Sequence, residues 1–116
     1  MPEAKTITRD ELKKKLDAKE DFVLINVLAA SSYEAMHIPG SINIDVHQPD
    51  FLDNVAEAVP DKNKDIVVHC SSFTCQSSPL AAQKLTEAGY TNVRDFSGGL
   101  ADWNSGGFAL EGPAVS

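Results

Sequence analysis

The chain has 116 residues, 42% of them apolar and 23% charged, the mix of an ordinary globular protein, which excludes wholesale disorder, collagen and coiled-coil architectures. Ten Lys and Arg stand against seventeen Asp and Glu, and the resulting charge of −7 repels phosphate backbones and anionic lipid, so neither nucleic acid nor membrane is an expected partner. No apolar run is long enough to span a bilayer and the first residues are polar, so the expectation is one soluble cytoplasmic domain over 1–116, its core about 6–108, with a frayed glycine-rich tail. Six of the ten cations lie among the first nineteen residues, and only Lys84 and Arg94 follow Lys64. The two cysteines, Cys70 and Cys75, make no disulfide framework and raise a question of reactivity instead.

In chain order, Thr8-Arg9-Asp10-Glu11 forms a capping box, with Ile7 and Leu12 at staple positions, and predicts a helix from Arg9 to Ala18. Phe22 to Ile25 is a short continuous apolar run, the pattern of a strand buried on both faces. A short helix is expected over Ser31 to Met36, then a turn at His37-Ile38-Pro39-Gly40 and a strand over Ser41 to Ile44. Asp50 to Ala58 has helical spacing, Pro60 to Lys64 is a polar loop, and Asp65 to Val68 is another buried strand aimed at Cys70. Ser78-Pro79 has the form of an N-cap followed by proline, and opens a helix that Gly89 ends. Leu80, Ala81, Leu85 and Ala88 are expected on its buried face, Thr91 to Phe96 supplies the last strand, and Gly98-Gly99 leads into a short turn carrying Leu100 and Trp103. Alternating helices and short apolar strands make an α/β layered fold.

Taken together, Leu24 to Val27, Tyr33, His37 to Ile44, Ile66 to Cys70, Ala81 to Leu85, Gly89-Tyr90, Gly98-Gly99 and Trp103 resemble the signature of single-domain rhodanese-like proteins. The resemblance implies a central five-stranded parallel sheet with helices on both faces, and a catalytic cysteine, here Cys70, at the end of the fourth strand. It implies sulfur transfer: Cys70 takes sulfane sulfur as a persulfide from a small donor or a persulfide-carrying protein and passes it to a nucleophilic acceptor, with no cofactor. The family's loop, Cys-x-x-Gly-x-Arg followed by Ser or Thr, is replaced by Cys70-Ser71-Ser72-Phe73-Thr74-Cys75-Gln76-Ser77-Ser78, which by this alignment is two residues longer and lacks both Gly and Arg. The family's Asp-Val-Arg after the second strand becomes Asn26-Val27-Leu28, losing both charges together.

Independently of that resemblance, open α/β sheets bind ligands at the carboxyl ends of their strands, and Cys70 stands there before a helix N-terminus that favours negative charge and lowers a thiol's pKa. Ser71, Ser72, Thr74, Gln76 and Ser77 offer hydrogen bonds to a bound sulfur species, and Phe73 completes the loop. Cys75 is a possible second thiol that resolves Cys70 as a disulfide or accepts its sulfane sulfur. A cysteine phosphatase needs an Arg six residues past its cysteine, where this chain has Gln76. Zinc binding by Cys70, Cys75, His69, His37 and His47 lacks the Cys-x-x-Cys knuckle, so no metal is expected. His37 is expected to pack in its turn, His47 to be solvated, His69 to point across the sheet from the neighbours of Cys70, and Trp103 to anchor the core. The competing readings are a non-catalytic interaction module and a Cys70/Cys75 redox switch.

Overall fold

The structure is a computed structural model that describes residues 5–114. Five strands form one all-parallel sheet in the order β1-β5-β4-β2-β3: β1 Lys5–Thr6, β2 Val23–Asn26, β3 Ile42–Asn43, β4 Ile66–His69 and β5 Val93–Phe96. The five-stranded α/β expectation holds. Four of these strands were legible from their runs; β1 was not, because a two-residue exposed strand carries no periodic signal.

Chain order and sheet order together sort the helices. The crossovers from β1 to β2 and from β2 to β3, through α1 Arg9–Asp17 and α2 Ala30–Ala35, run one way along the sheet. Those through α3 Phe51–Ala58 and α4 Ser77–Glu87 run back, and right-handed crossovers in opposite directions lie on opposite faces. Two apolar cores follow from this. On one face Ile25, Val27, Ile66, Val68 and Cys70 pack against Phe51 and Val55 of α3 and Ala81, Ala82 and Leu85 of α4. On the other, Leu24, Val67 and Phe96 meet Leu12 of α1, and Leu100 and Trp103 of α5 Gly99–Ser105. Alternate β4 residues serve opposite cores, so every β4 position is buried and the strand reads as a continuous apolar run.

The Thr8 capping box forms as expected, with the Thr8 Oγ1 accepting from the Glu11 amide and the Glu11 carboxylate accepting from Thr8 N–H. Three local expectations are corrected. Helix α4 starts two residues early, with Gln76 rather than Ser78 at the cap and no side-chain cap bond; Ser78 is instead fully buried inside the first turn. Leu80 is 38% exposed, and the buried stripe is Ser78, Ala81, Ala82 and Leu85, the spacing of one helix face. The tail is tied down as far as it is described: Trp103 Nε1 donates to Ala109 O, His37 and Glu111 exchange backbone bonds, and Ala114 N donates to Ala35 O. Phe108 and Leu110 cover the second core, and those apolar contacts outweigh the freedom of the neighbouring glycines.

Candidate active site

Strand β4 delivers Cys70 to the carboxyl edge of the sheet, where its side chain is fully buried and its sulfur lies 3.4 Å from Ser78 Oγ. The Ser78 hydroxyl also faces the buried carboxylate of Asp95 from β5, whose pKa burial pushes up and Ser78 pulls back. Past Cys70 the backbone is held from the other side. The first amides of α5 take its carbonyls, Leu100 N to Cys70 O at 3.1 Å and Ala101 N to Ser71 O at 2.8 Å. This approach requires Gly99, which has φ +60° and whose missing Cβ would stand 2.5 Å from Cys70 O. A Gly-Gly pair shows in sequence; that its second member clamps the carbonyl of Cys70 does not.

The chain then turns back on itself, Cys75 N donating to Ser72 O at 3.0 Å, with the Ser72 and Thr74 hydroxyls paired at the surface and Phe73 71% exposed at the tip. This turn brings the half-buried Cys75 against Cys70. The Cys75 sulfur sits among the backbone amides of Ser71 and Ser77, the Ser77 hydroxyl and the Cys70 thiol. Burial opposes its thiolate, but these donors outweigh it and hold the Cys75 pKa down at about 6. Cys70 is pushed the other way, first by burial and then by Cys75, against the opposing pull of Ser78. The electrostatic advantage expected for Cys70 at the start of α4 therefore falls on Cys75, because the loop folds the second sulfur into the space in front of the amides.

His47 is exposed, as expected, and its ring also reaches this site. Its Nε2 lies 2.9 Å from Ser77 Oγ. Sequence offers no sign of this, since thirty positions separate the two residues. Gln76 is exposed beside them, at the head of α4.

The remaining histidines are structural, each in its own way. His37 stacks on Tyr33 with centroids 4.2 Å apart, and its Nδ1 donates to Tyr33 O at 2.8 Å, so it packs in its turn as expected. His69 points into the face opposite Cys70, edge-on to Phe96, with Nδ1 donating to Cys70 O at 3.2 Å; burial lowers its pKa to about 4. Trp103 is 2% exposed between Phe96 and Phe108. Asn26, in place of the family's acid, turns its Oδ1 onto Leu28 N at 2.9 Å and closes the corner after β2. Among the described residues no group of three or more His, Cys, Asp or Glu gathers in a metal-holding arrangement.

An all-parallel sheet with a two-cysteine loop at the carboxyl end of its central strand defines a thiol-bearing α/β domain. The chain belongs to the rhodanese-like domain family, whose model matches residues 8–106. It is 37% identical over 78 residues to the thiosulfate sulfurtransferase PspE of Escherichia coli, covering 67% of this chain and 70% of that protein. It is 33% identical over 105 residues to the HTH-type transcriptional regulator Rv0324 of Mycobacterium tuberculosis, matching 90% of this chain but spanning only 44% of that protein. A thiosulfate sulfurtransferase structure from Pseudomonas aeruginosa superposes with a TM-score of 0.84 at 26% identity, over 95% of this chain and 20% of that one.

Proposed function

We propose that the domain is a sulfurtransferase that carries sulfane sulfur on Cys70, taking it from thiosulfate, a persulfide or a persulfide-bearing protein and yielding it to a thiophilic acceptor. The observation that supports this reading most directly is the buried Cys70 at the carboxyl end of the central strand, its carbonyl clamped by α5 and a second thiol beside it in a loop that has no cation. Similarity to a protein named as a thiosulfate sulfurtransferase supports the same reaction class.

The test is transfer of sulfur from thiosulfate to cyanide, followed as thiocyanate, with the intact mass of the protein measured in parallel. Wild type is expected to gain one sulfur atom that a thiol reductant removes, and Cys70→Ser and Cys70→Ala, checked for fold by circular dichroism, to lose turnover. Wild-type turnover in either variant removes Cys70 as the sulfur carrier. The adjacency of the two sulfurs favours one second reading, a thiol switch in which an external oxidant takes two electrons and closes a Cys70–Cys75 disulfide. The same mass measurement recognises it by the loss of two hydrogens in place of the gain of sulfur.

A further inference from the structure

The two loop thiols differ in what can reach them. Cys70 has no exposed surface, packed against Ser78 and the α4 side of the core, whereas Cys75 is only partly buried. An external donor approaching the loop meets Cys75. The Ser71 and Ser77 amides and the Ser77 hydroxyl, which His47 contacts, favour the thiolate of Cys75, while the Cys70 sulfur lies 3.4 Å from Ser78 Oγ.

We propose that Cys75 is the entry thiol of this site and Cys70 the inner one: sulfane sulfur is taken up first on Cys75 and is then handed to Cys70. This deepens the sulfurtransferase reading and rests on it. In the first step the Cys75 thiolate attacks the outer sulfur of thiosulfate; a Cys75 S–S bond forms, the sulfur–sulfur bond of thiosulfate breaks, and sulfite leaves with its electron pair. Cys75 then bears a persulfide anion among the amides of Ser71 and Ser77. In the second step the Cys70 sulfur attacks that outer sulfur. The S–S bond to Cys75 breaks, Cys75 leaves as a thiolate, and the proton of the Cys70 thiol ends on the transferred sulfur. No electrons enter or leave in either step.

The direction of the handover follows from the environments. A thiol of low pKa is the better leaving group in sulfur exchange, and one of higher pKa the stronger nucleophile once it reacts. The donors around Cys75 stabilise it as the departing thiolate, and burial without them makes Cys70 the poorer leaving group, so sulfur moves inward. The groups facing Cys75 are Cys70 from the end of β4, Ser71 and Ser77 from the two limbs of the loop, and His47 behind Ser77. Asp95 faces Ser78 on the Cys70 side.

The experiment is rapid-quench loading of the full chain with thiosulfate, and separately with a low-molecular-weight persulfide, read by intact mass and fragmentation, from pH 5 to 9. Wild type is expected to load with a pH midpoint near that of Cys75, about 6, with sulfur found on Cys70 at the plateau. Cys75→Ser is expected to load Cys70 slower by roughly tenfold or more, with its pH midpoint moved to the alkaline side. Cys70→Ser, whose hydroxyl keeps a donor beside Cys75, is expected to take up one sulfur on Cys75 yet to turn over poorly because that persulfide is not passed on; Cys70→Ala, which removes the donor, is expected to do the same with its pH midpoint moved to the alkaline side. Loading of Cys75→Ser at the wild-type rate and pH midpoint overturns the relay and leaves the sulfurtransferase standing. Folded Cys70 variants that take up no sulfur overturn it as well. A wild type that gains no sulfur from either donor removes both the relay and the reaction it rests on.

Discussion

A buried histidine at the end of β4 sets an acid limit on the fold. His69 is neutral in the native protein, its Nε2 has no partner, and burial lowers its pKa from the ordinary 6.5 to about 4. Between those values the unfolded chain binds more protons than the folded one, so stability falls as pH falls through the window. The expected loss from this residue is about 2 kcal/mol on going from pH 7 to pH 5, seen as a lower urea midpoint. Asp95 acts oppositely, because its raised pKa favours the folded state as the carboxyl takes up a proton, so the informative comparison is between wild type and His69→Phe. That variant should show a flatter pH profile whatever its absolute stability; an unchanged slope would show that His69 is not the titrating group.

The element that most constrains the candidate site is α5, through its backbone amides. Its first amides hold the Cys70 and Ser71 carbonyls only because Gly99 has no side chain and takes φ +60°. Gly99→Ala is therefore expected to lower stability by about 2–3 kcal/mol, from the strained backbone and the clash with Cys70 O together, and to slow sulfur loading as the loop shifts. Gly107→Ala is the control: φ is +76° but nothing lies within 4 Å of the added methyl, so about 1 kcal/mol of backbone strain is the whole expected cost. Equal thermal midpoints for the two variants would refute the clamp. The helix register at α4 belongs to the same scale. Ser78-Pro79 carries the sequence signature of a start, but burying Ser78 against Cys70 and Asp95 draws the first turn back to Gln76.

At the scale of the molecule, a net charge of −7 and a site loop without Lys or Arg act against a dianionic donor. At low ionic strength the protein's field reduces the local concentration of thiosulfate, and salt screens that field over about 10 Å at 0.1 M. The expected result is a thiosulfate KM that falls severalfold as neutral salt is raised, with a smaller change for a persulfide of lower net charge and a better kcat/KM for that donor at low salt. A thiosulfate KM that stays flat or rises with salt would mean that the loop amides, not the overall field, govern donor entry. Among the described residues no helix is long and apolar enough to cross a membrane, and the two cores use up the longer apolar runs.

What the sequence determined by itself was whatever rests on near neighbours along the chain. The Thr8 capping box, the apolar strand runs, the His37 turn and the placement of Cys70 at a strand end before a helix all depend on residues a few positions apart, and all form. The parallel sheet followed too, because runs buried on both faces alternating with helices have few other ways to pack. Only the tertiary structure decided β1, whose two exposed residues pair with Arg94 and Asp95 far along the chain, and the ordered tail, held by contacts to His37, Ala35 and Trp103. It also decided which cysteine is partly exposed and which is fully buried. Thiol reactivity depends on how many donors converge on a sulfur and how much water reaches it, and those donors come from both limbs of a folded loop, where His47, thirty positions upstream, contacts Ser77.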